Sequence, residues 1–198
     1  MEGKKIAVVF GLCLTMFVGS VAAFFIYKPA EIVPPLPIHG KTPAFSFTAT
    51  DGETFASSKL EGKVWVADFF FSTCAGPCPT MAKNMGKIQE TFKDRGDDLN
   101  LASFTVYPDN DTPEVLAKYA KKVKADTSRW HFLTGPKEDL LSLAVEGFKV
   151  GDSSNLLNHS QKFILVDREM QIRGYYEGTD DGEIAELVQD LERLLKEG

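Results

Sequence analysis

The chain has 198 residues with 22 basic and 28 acidic side chains, a length that allows one domain or at most two. Hydrophobic residues make up 43% and charged residues 25%, which is near the globular average and excludes a disordered, collagen-like or disulfide-dense protein. The net charge of −6 argues against nucleic acid as the partner, because phosphate binding requires a cationic surface.

The first segment, residues 1–28, is predicted to be a membrane anchor. The 22 residues at positions 6–27 carry no charge and, as a helix, would span about 33 Å against a hydrocarbon core of roughly 30 Å. Two lysines precede this run, which predicts a single-pass protein with its carboxy-terminal domain on the outer side. Because the run begins at the sixth residue and leaves no room for an Arg/Ser-rich transit peptide, we expect the membrane to be the bacterial cytoplasmic membrane. Ser20–Ala22 has the small-x-small form of a signal-peptidase site, so a cleaved signal peptide is the alternative.

Residues 29–41 follow as a proline-rich linker. Proline at this density disfavours a helix and favours an extended, semi-rigid spacer. The remaining chain, residues 42–198, is long enough to bury one core without disulfides or other cross-links.

Residues 42–198 alternate between strand-like and helix-like runs. The run at positions 64–71 is almost entirely apolar, as in a strand buried on both faces. Thr112 before Pro113 has the pattern of a helix N-cap. The order of elements predicts an α/β domain with a mostly parallel central sheet and helices on both faces. In chain order, we predict strand 64–71, helix 79–92, strand 99–106, helix 113–124, strand 131–133, helix 137–146, strands 162–167 and 171–176 as an antiparallel pair, and helix 180–196.

Three cysteines are present. Cys13 lies inside the apolar run and is expected to be an ordinary residue of the anchor. Cys74 and Cys78 lie between a buried strand and a helix, where backbone N–H groups and the helix dipole favour a thiolate. A structural disulfide across so short a loop would add little stability, so we expect the pair to be reactive or to bind a metal.

Two thiolates with one imidazole suit copper(I), whereas zinc requires four ligands. The histidines available are His39 in the linker, His131 in a short predicted strand, and His159. His159 directly precedes the strand that we expect beside the cysteine strand, so its side chain is placed to face the thiols. The residues alone leave the choice among the three histidines open.

Four sequence blocks together resemble the Sco (SenC) family of thioredoxin-fold copper proteins, over roughly residues 42–196. The blocks are Cys74-Ala75-Gly76-Pro77-Cys78-Pro79-Thr80-Met81, Pro108 to Leu116 with Asp111-Thr112-Pro113, Leu133-Thr134-Gly135, and His159-Ser160. The resemblance implies a thioredoxin-like fold and a role in assembling the copper centre of cytochrome c oxidase, whose copper-bearing subunit would be the partner. It also implies that Cys74, Cys78 and His159 bind copper.

The resulting interpretation is a copper chaperone rather than an enzyme with turnover. Thiolate ligation requires the reduced cysteine pair, so in an oxidising compartment we also expect a thioredoxin-like reductant as a partner. Two positions depart from the family pattern, since Tyr107 and Asn158 occur where the family usually has aspartate. Asp111 matches the family, and it can be interpreted either as a functional residue or as a residue that starts the following helix.

The alternative interpretation is a thiol-disulfide oxidoreductase, with Cys74 and Cys78 as the redox-active pair. Gly76-Pro77-Cys78 matches the second half of the thioredoxin Cys-Gly-Pro-Cys motif. However, the spacing is one residue longer, and residues 137–198 contain no proline to take the place of the thioredoxin cis-proline. A peroxidase is disfavoured because Thr73 directly precedes the cysteine instead of lying two or three residues before it.

Overall fold

The computed structural model describes residues 34–151 and 160–197. The strands are β1 Gly40–Lys41, β2 Ser46–Thr48, β3 Thr54–Ala56, β4 Val64–Phe70, β5 Leu99–Thr105, β6 Trp130–Leu133, β7 Lys162–Val166 and β8 Gln171–Glu177. The α-helices are α1 Cys78–Thr91, α2 Pro113–Lys122, α3 Lys137–Ser142 and α4 Asp181–Lys196. Short 3-10 turns occupy Ser57–Leu60 and Lys93–Asp98, and a π-helical turn, Leu143–Gly147, continues α3.

The main sheet has six strands in the order β1-β8-β7-β4-β5-β6. Only β4 with β5 and β5 with β6 are parallel, while β7 pairs antiparallel with both β4 and β8, and β1 pairs antiparallel with β8. The prediction of a mostly parallel sheet is therefore wrong, and the sheet is mixed. The difference lies in β7, which runs antiparallel to β4, and in the unpredicted strand β1, which runs antiparallel to β8. The direction of a strand depends on the path by which the chain reaches it and not on the residues of the strand. The predicted antiparallel pairing of β7 with β8 is confirmed.

Helical segments cover both faces of the main sheet, as predicted. Apolar side chains of α1, α2 and α4 pack with Val66 and Phe70 on the first face. Helix α3, its π-helical continuation and the small β2–β3 hairpin pack with Trp65 and Phe69 on the second face. Because alternate residues of β4 face opposite sides, every side chain of this strand is buried.

The segment boundaries follow local chemistry. Thr112 is the N-cap of α2, as predicted, and its hydroxyl accepts a hydrogen bond from the Val115 N–H at 3.4 Å. Helix α1 starts one residue earlier than predicted, at Cys78, so Cys78 is its first residue and Pro79 its second. The short strands β1, β2 and β3 were not predicted, because two or three residues carry too little periodicity to be recognised.

The predicted membrane anchor, residues 1–28, lies outside the described residues. Within the part of the chain that the structure describes, none of the helices combines the length and the hydrophobicity needed to cross a bilayer.

Candidate metal centre

Cys74 and Cys78 lie together where β4 ends and α1 begins. Cys74 is half-buried in the loop, and its backbone N–H donates to the Phe71 carbonyl at 3.2 Å. Cys78 is the first residue of α1 and only 2% exposed. Both cysteines are reduced thiols, and the two are hydrogen-bonded to each other. The chain therefore brings two sulfur atoms to one point at the amino end of a helix, as the sequence predicts.

The surroundings of the two thiols separate their pKa values. Partial burial opposes ionisation of Cys74, but hydrogen bonds from the Cys78 thiol, the Cys78 N–H and the Gly76 N–H outweigh it and lower the pKa of Cys74. Burial raises the pKa of Cys78 to about 12, and both its hydrogen bond to Cys74 and the negative charges of Cys74 and Asp68 add to this rise. Cys74 is thus the more accessible and more easily ionised of the two sulfurs, and Cys78 holds its proton.

Asp68 is a buried carboxyl group on the same sheet face as Cys78, and its charge acts on that thiol. The Ser103 hydroxyl hydrogen-bonds one oxygen, and the Trp130 indole N–H in turn donates to Ser103 Oγ at 2.9 Å. Within the described residues, Asp68 Oδ1 has no hydrogen-bond partner. Burial raises the pKa of Asp68 to about 7. The sequence analysis missed this group, although a single acid within the apolar run of β4 was a usable signal.

Asp111 secures the loop that carries Cys74. This carboxylate is fully buried and accepts hydrogen bonds from the Ser72 N–H at 3.0 Å, the Thr105 hydroxyl at 2.6 Å and the Asn110 amide at 2.8 Å, as well as from the Ser72 hydroxyl. Ser72 is two residues before Cys74. Asp111 therefore links the end of β4 to the segment between β5 and α2, and Thr112 rather than Asp111 caps the helix.

Two of the three candidate histidines lie away from the thiols. His131 is on the second face of the sheet, where its ring packs on Phe55 with centroids 4.4 Å apart and its Nε2 atom contacts Asn100 Oδ1 at 3.0 Å. His39 packs edge-on against Tyr175 with centroids 5.4 Å apart. Among the described residues, no group of three or more His, Cys, Asp or Glu side chains is arranged to hold a metal ion. His159 lies outside the described residues, so its ligation remains a prediction.

The structure describes strand β7, which follows His159 in the chain. Strand β7 lies directly beside β4, with Trp65 opposite Val166 and Ala67 opposite Ile164. The prediction that this strand neighbours the cysteine strand is confirmed.

The Tyr107 position presents no carboxylate at the thiols. Its side chain is 38% exposed and its ring meets that of Phe71 edge-on, with centroids 6.5 Å apart. Asn158, the second departure from the family pattern, lies outside the described residues.

Comparison with known proteins gives consistent matches. The family profile SCO1/SenC matches residues 38–196. The chain is 29% identical over 160 residues to the SCO1 protein homolog of Bacillus subtilis (strain 168), a match that covers 78% of this chain and 83% of the homolog.

Three solved structures are similar. A SCO1/SenC family lipoprotein from Bacillus anthracis str. Ames matches with a TM-score of 0.73 and 34% identity, covering 80% of this chain and 96% of that one. BsSco is a member of the Sco family of cytochrome c oxidase assembly proteins in which a disulfide switch was identified. It matches with a TM-score of 0.71 and 27% identity, covering 82% of this chain and 98% of that one. Bradyrhizobium japonicum ScoI, solved with copper bound, matches in fold with a TM-score of 0.65 and 20% identity, covering 78% of this chain and 99% of that one. These matches confirm a thioredoxin-like α/β fold.

Proposed function

The chain belongs to the SCO1/SenC family, and from this premise we propose that it is a copper-binding metallochaperone that delivers copper during assembly of cytochrome c oxidase. Its cargo is a copper ion held by the thiolates of Cys74 and Cys78 with the imidazole of His159 as third ligand. Its partner is the copper-bearing subunit of the oxidase. BsSco belongs to a family of oxidase assembly proteins and ScoI was solved with copper bound, and the similarity of this chain to both supports the proposal.

The observation that carries the proposal is the pair of reduced, mutually hydrogen-bonded thiols at the amino end of α1. Soft thiolate donors select copper(I) over harder cations. The backbone N–H groups around Cys74 already favour its thiolate, so less free energy is needed to deprotonate it when a metal binds. Because Cys74 is half-buried and Cys78 is covered, a partner cysteine reaches the ion from the Cys74 side.

Redox state controls loading in this proposal. Oxidation of Cys74 and Cys78 to a disulfide would remove both sulfur ligands, so a thioredoxin-like reductant must regenerate the thiols in an oxidising compartment. The proposal also places the domain on the outer side of the bacterial cytoplasmic membrane, held by residues 1–28. Extraction of membranes with alkaline carbonate tests the anchor, because an integral protein stays in the pellet.

Copper titration of the reduced full-length chain tests the ligand set. A Cys13→Ser background leaves only the proposed pair of thiols, and thiolate-to-copper charge-transfer absorption reports their ligation. We expect Cys74→Ser and Cys78→Ser to abolish that absorption, and His159→Ala to weaken copper retention by at least about tenfold. His39→Ala and His131→Gln are the matched controls, because both rings lie away from the thiols and should leave binding unchanged. Wild-type retention by His159→Ala would refute the ligand assignment.

The second candidate function is thiol-disulfide exchange, and the separation of the two thiol pKa values favours it. A half-buried cysteine with a lowered pKa beside a buried one that keeps its proton is the arrangement of an attacking and a resolving thiol. Insulin reduction by the reduced chain separates the two functions. Robust turnover that persists in His159→Ala would favour the oxidoreductase, whereas slow or absent turnover with tight copper binding favours the chaperone.

A further inference from the structure

A groove opens directly beside Cys74, between α1 and α2. It encloses about 270 Å³, and we call it the thiol groove. This volume is below the roughly 300–1,000 Å³ usual for pockets that hold whole small molecules, so it suits a side chain of a larger partner. The lining residues that matter here are Cys74, Ala82, Lys83, Tyr119, Lys122 and Val123.

The floor of the thiol groove is apolar and held in place by the core. The Tyr119 ring is half-buried and packs against Phe70 and Phe132, with centroid distances of 5.1 Å and 5.9 Å. Ala82 contributes a small side chain, and Val123 follows directly after α2. The groove therefore exists before any partner arrives, which reduces the entropy lost when a partner binds.

The rim of the thiol groove is cationic. Lys83 on α1 and Lys122 on α2 are exposed, and neither has an ion-pair partner within residues 34–151 and 160–197. By contrast Lys87, also on α1, pairs with Asp181 at 3.4 Å. Two ammonium groups beside a thiol, without an ion pair to any residue that the structure describes, favour an occupant that carries carboxylates.

We propose that the thiol groove binds an acidic, cysteine-bearing peptide segment of the protein that exchanges with Cys74. An apolar side chain next to the partner cysteine enters the groove over Tyr119, and flanking carboxylates meet Lys83 and Lys122. This inference rests on the proposed function, in which Cys74 is the sulfur that a partner reaches. It adds the chemistry by which the partner is recognised.

Disulfide exchange with short peptides tests the groove without copper, so its result does not depend on the copper titration. The protein is the full-length chain with Cys13→Ser and Cys78→Ser, which leaves Cys74 as the sole thiol. Each probe carries its cysteine as a mixed disulfide with thionitrobenzoate. The Cys74 thiolate attacks the peptide sulfur, so the Cys74–peptide disulfide forms, the peptide–thionitrobenzoate disulfide breaks, and thionitrobenzoate leaves as a coloured thiolate with no net oxidation.

The probes are Asp-Leu-Cys-Glu and Lys-Leu-Cys-Lys peptides with blocked termini. At low salt we expect the acidic peptide to react about 3- to 10-fold faster, as two surface ion pairs allow, and this preference to shrink in 1 M salt. Lys83→Gln with Lys122→Gln should abolish the preference. Lys87→Gln with Lys121→Gln is the matched control, because it removes the same charge from the same helices outside the groove and should retain the preference.

Several results would overturn the inference. Equal rates for the two peptides would mean that the lysines at the rim do not select a charged partner. An equal loss of preference in the control variant would mean that net charge alone acts. An Asp-Gly-Cys-Glu peptide that reacts as fast as the leucine peptide would exclude a side chain in the groove. Glutathione–thionitrobenzoate that matches the acidic peptide, with the same lysine dependence, would identify a small thiol as the occupant instead. First-turnover rates measured with Cys78 retained check that the serine substitution has not altered the groove.

Discussion

The hydrogen bonds of Asp111 permit a quantitative test of how the cysteine loop is held. The carboxylate is fully buried and accepts two hydrogen bonds on each oxygen. Oδ1 accepts from the Ser72 hydroxyl and the Asn110 amide, and Oδ2 accepts from the Ser72 N–H and the Thr105 hydroxyl. Asp111→Asn and Asp111→Ala remove these acceptors to different degrees.

In Asp111→Asn, the new side-chain amide can take only one of its two orientations without facing a donor that cannot reverse its role. If the new amide nitrogen replaces Oδ2, it faces the Ser72 N–H, a donor that cannot reverse its role. If it replaces Oδ1, the Ser72 hydroxyl can rotate to accept and the Asn110 amide can turn its oxygen inward. The remaining cost is the loss of charge assistance in the hydrogen bonds, which we place at about 1–2 kcal/mol of unfolding free energy.

Asp111→Ala removes every acceptor and leaves a cavity. In this variant the Ser72 N–H loses the carboxylate that now accepts its hydrogen bond, and the neighbouring polar groups stay buried without that acceptor. Loss of one member of a buried charged network costs about 3–5 kcal/mol. Because Ser72 is two residues from Cys74, the loop also loosens over the N–H groups that stabilise the thiolate, so the pKa of Cys74 should rise from its lowered value.

Urea unfolding and the pH profile of Cys74 alkylation by iodoacetamide measure the two effects. Asp109→Asn is the matched control, since this exposed side chain lies two residues away and should change neither quantity. We expect Asp111→Asn to show a modest loss of stability and an alkylation profile moved to higher pH. An Asp111→Asn variant with the stability and profile of the unsubstituted protein would refute the assignment of Asp111 as the residue that positions the loop.

Three further predictions concern buried charged and titratable groups. The pKa of His131 is lowered from 6.5 to about 4, chiefly by burial and then by two nearby lysines. Its contribution to the unfolding free energy is therefore complete above pH 6.5, and about 3 kcal/mol is lost as the pH falls to 4. His131→Gln should flatten the curve of urea-derived stability against pH between pH 4 and 6.5. Burial raises the pKa of Asp68 from 3.8 to about 7, so its contribution to stability is complete below pH 3.8 and is lost as the pH rises to 7. Asp68→Asn should stabilise the protein above pH 7 by up to about 4 kcal/mol and should lower the pKa of Cys78. Unchanged stability of this variant above pH 7 would contradict this account. Arg173→Met should lower the unfolding free energy by about 3 kcal/mol, because it leaves Asp167 buried without its ion pair. It should also expose the segment before β1 to proteolysis, because Arg173 donates hydrogen bonds to two carbonyls of that segment. Protease resistance equal to that of the unsubstituted chain would contradict the role of Arg173 in holding the segment.

Much of the fold follows from patterns of neighbouring residues. The apolar run of β4, the helical spacing of α1 and the Thr112 cap are local signals, and each predicted its element to within a residue or two. The polarity of the sheet was predicted less well. Whether β7 pairs parallel or antiparallel with β4 depends on the path of the chain between them and not on the composition of either strand.

The candidate site divides in the same way. The spacing of Cys74 and Cys78 between a strand and a helix was enough to predict reactive or metal-binding thiols that meet. It could not predict which sulfur ionises, because that depends on the burial of Cys78 and on the charge of Asp68 from another element. Likewise, the sequence allowed His131 as a ligand, and only its place on the second sheet face excludes it.

By itself, the sequence determined the order of elements, the paired thiols and the family to which the chain belongs, because these are encoded in residues close together along the chain. Tertiary structure alone decided the mixed sheet, the link from Asp111 to Ser72, the proton held on Cys78 and the cationic groove beside Cys74. Each of these depends on burial and on contacts between residues far apart in the chain. A local pattern does not specify which distant groups will share a low-dielectric site.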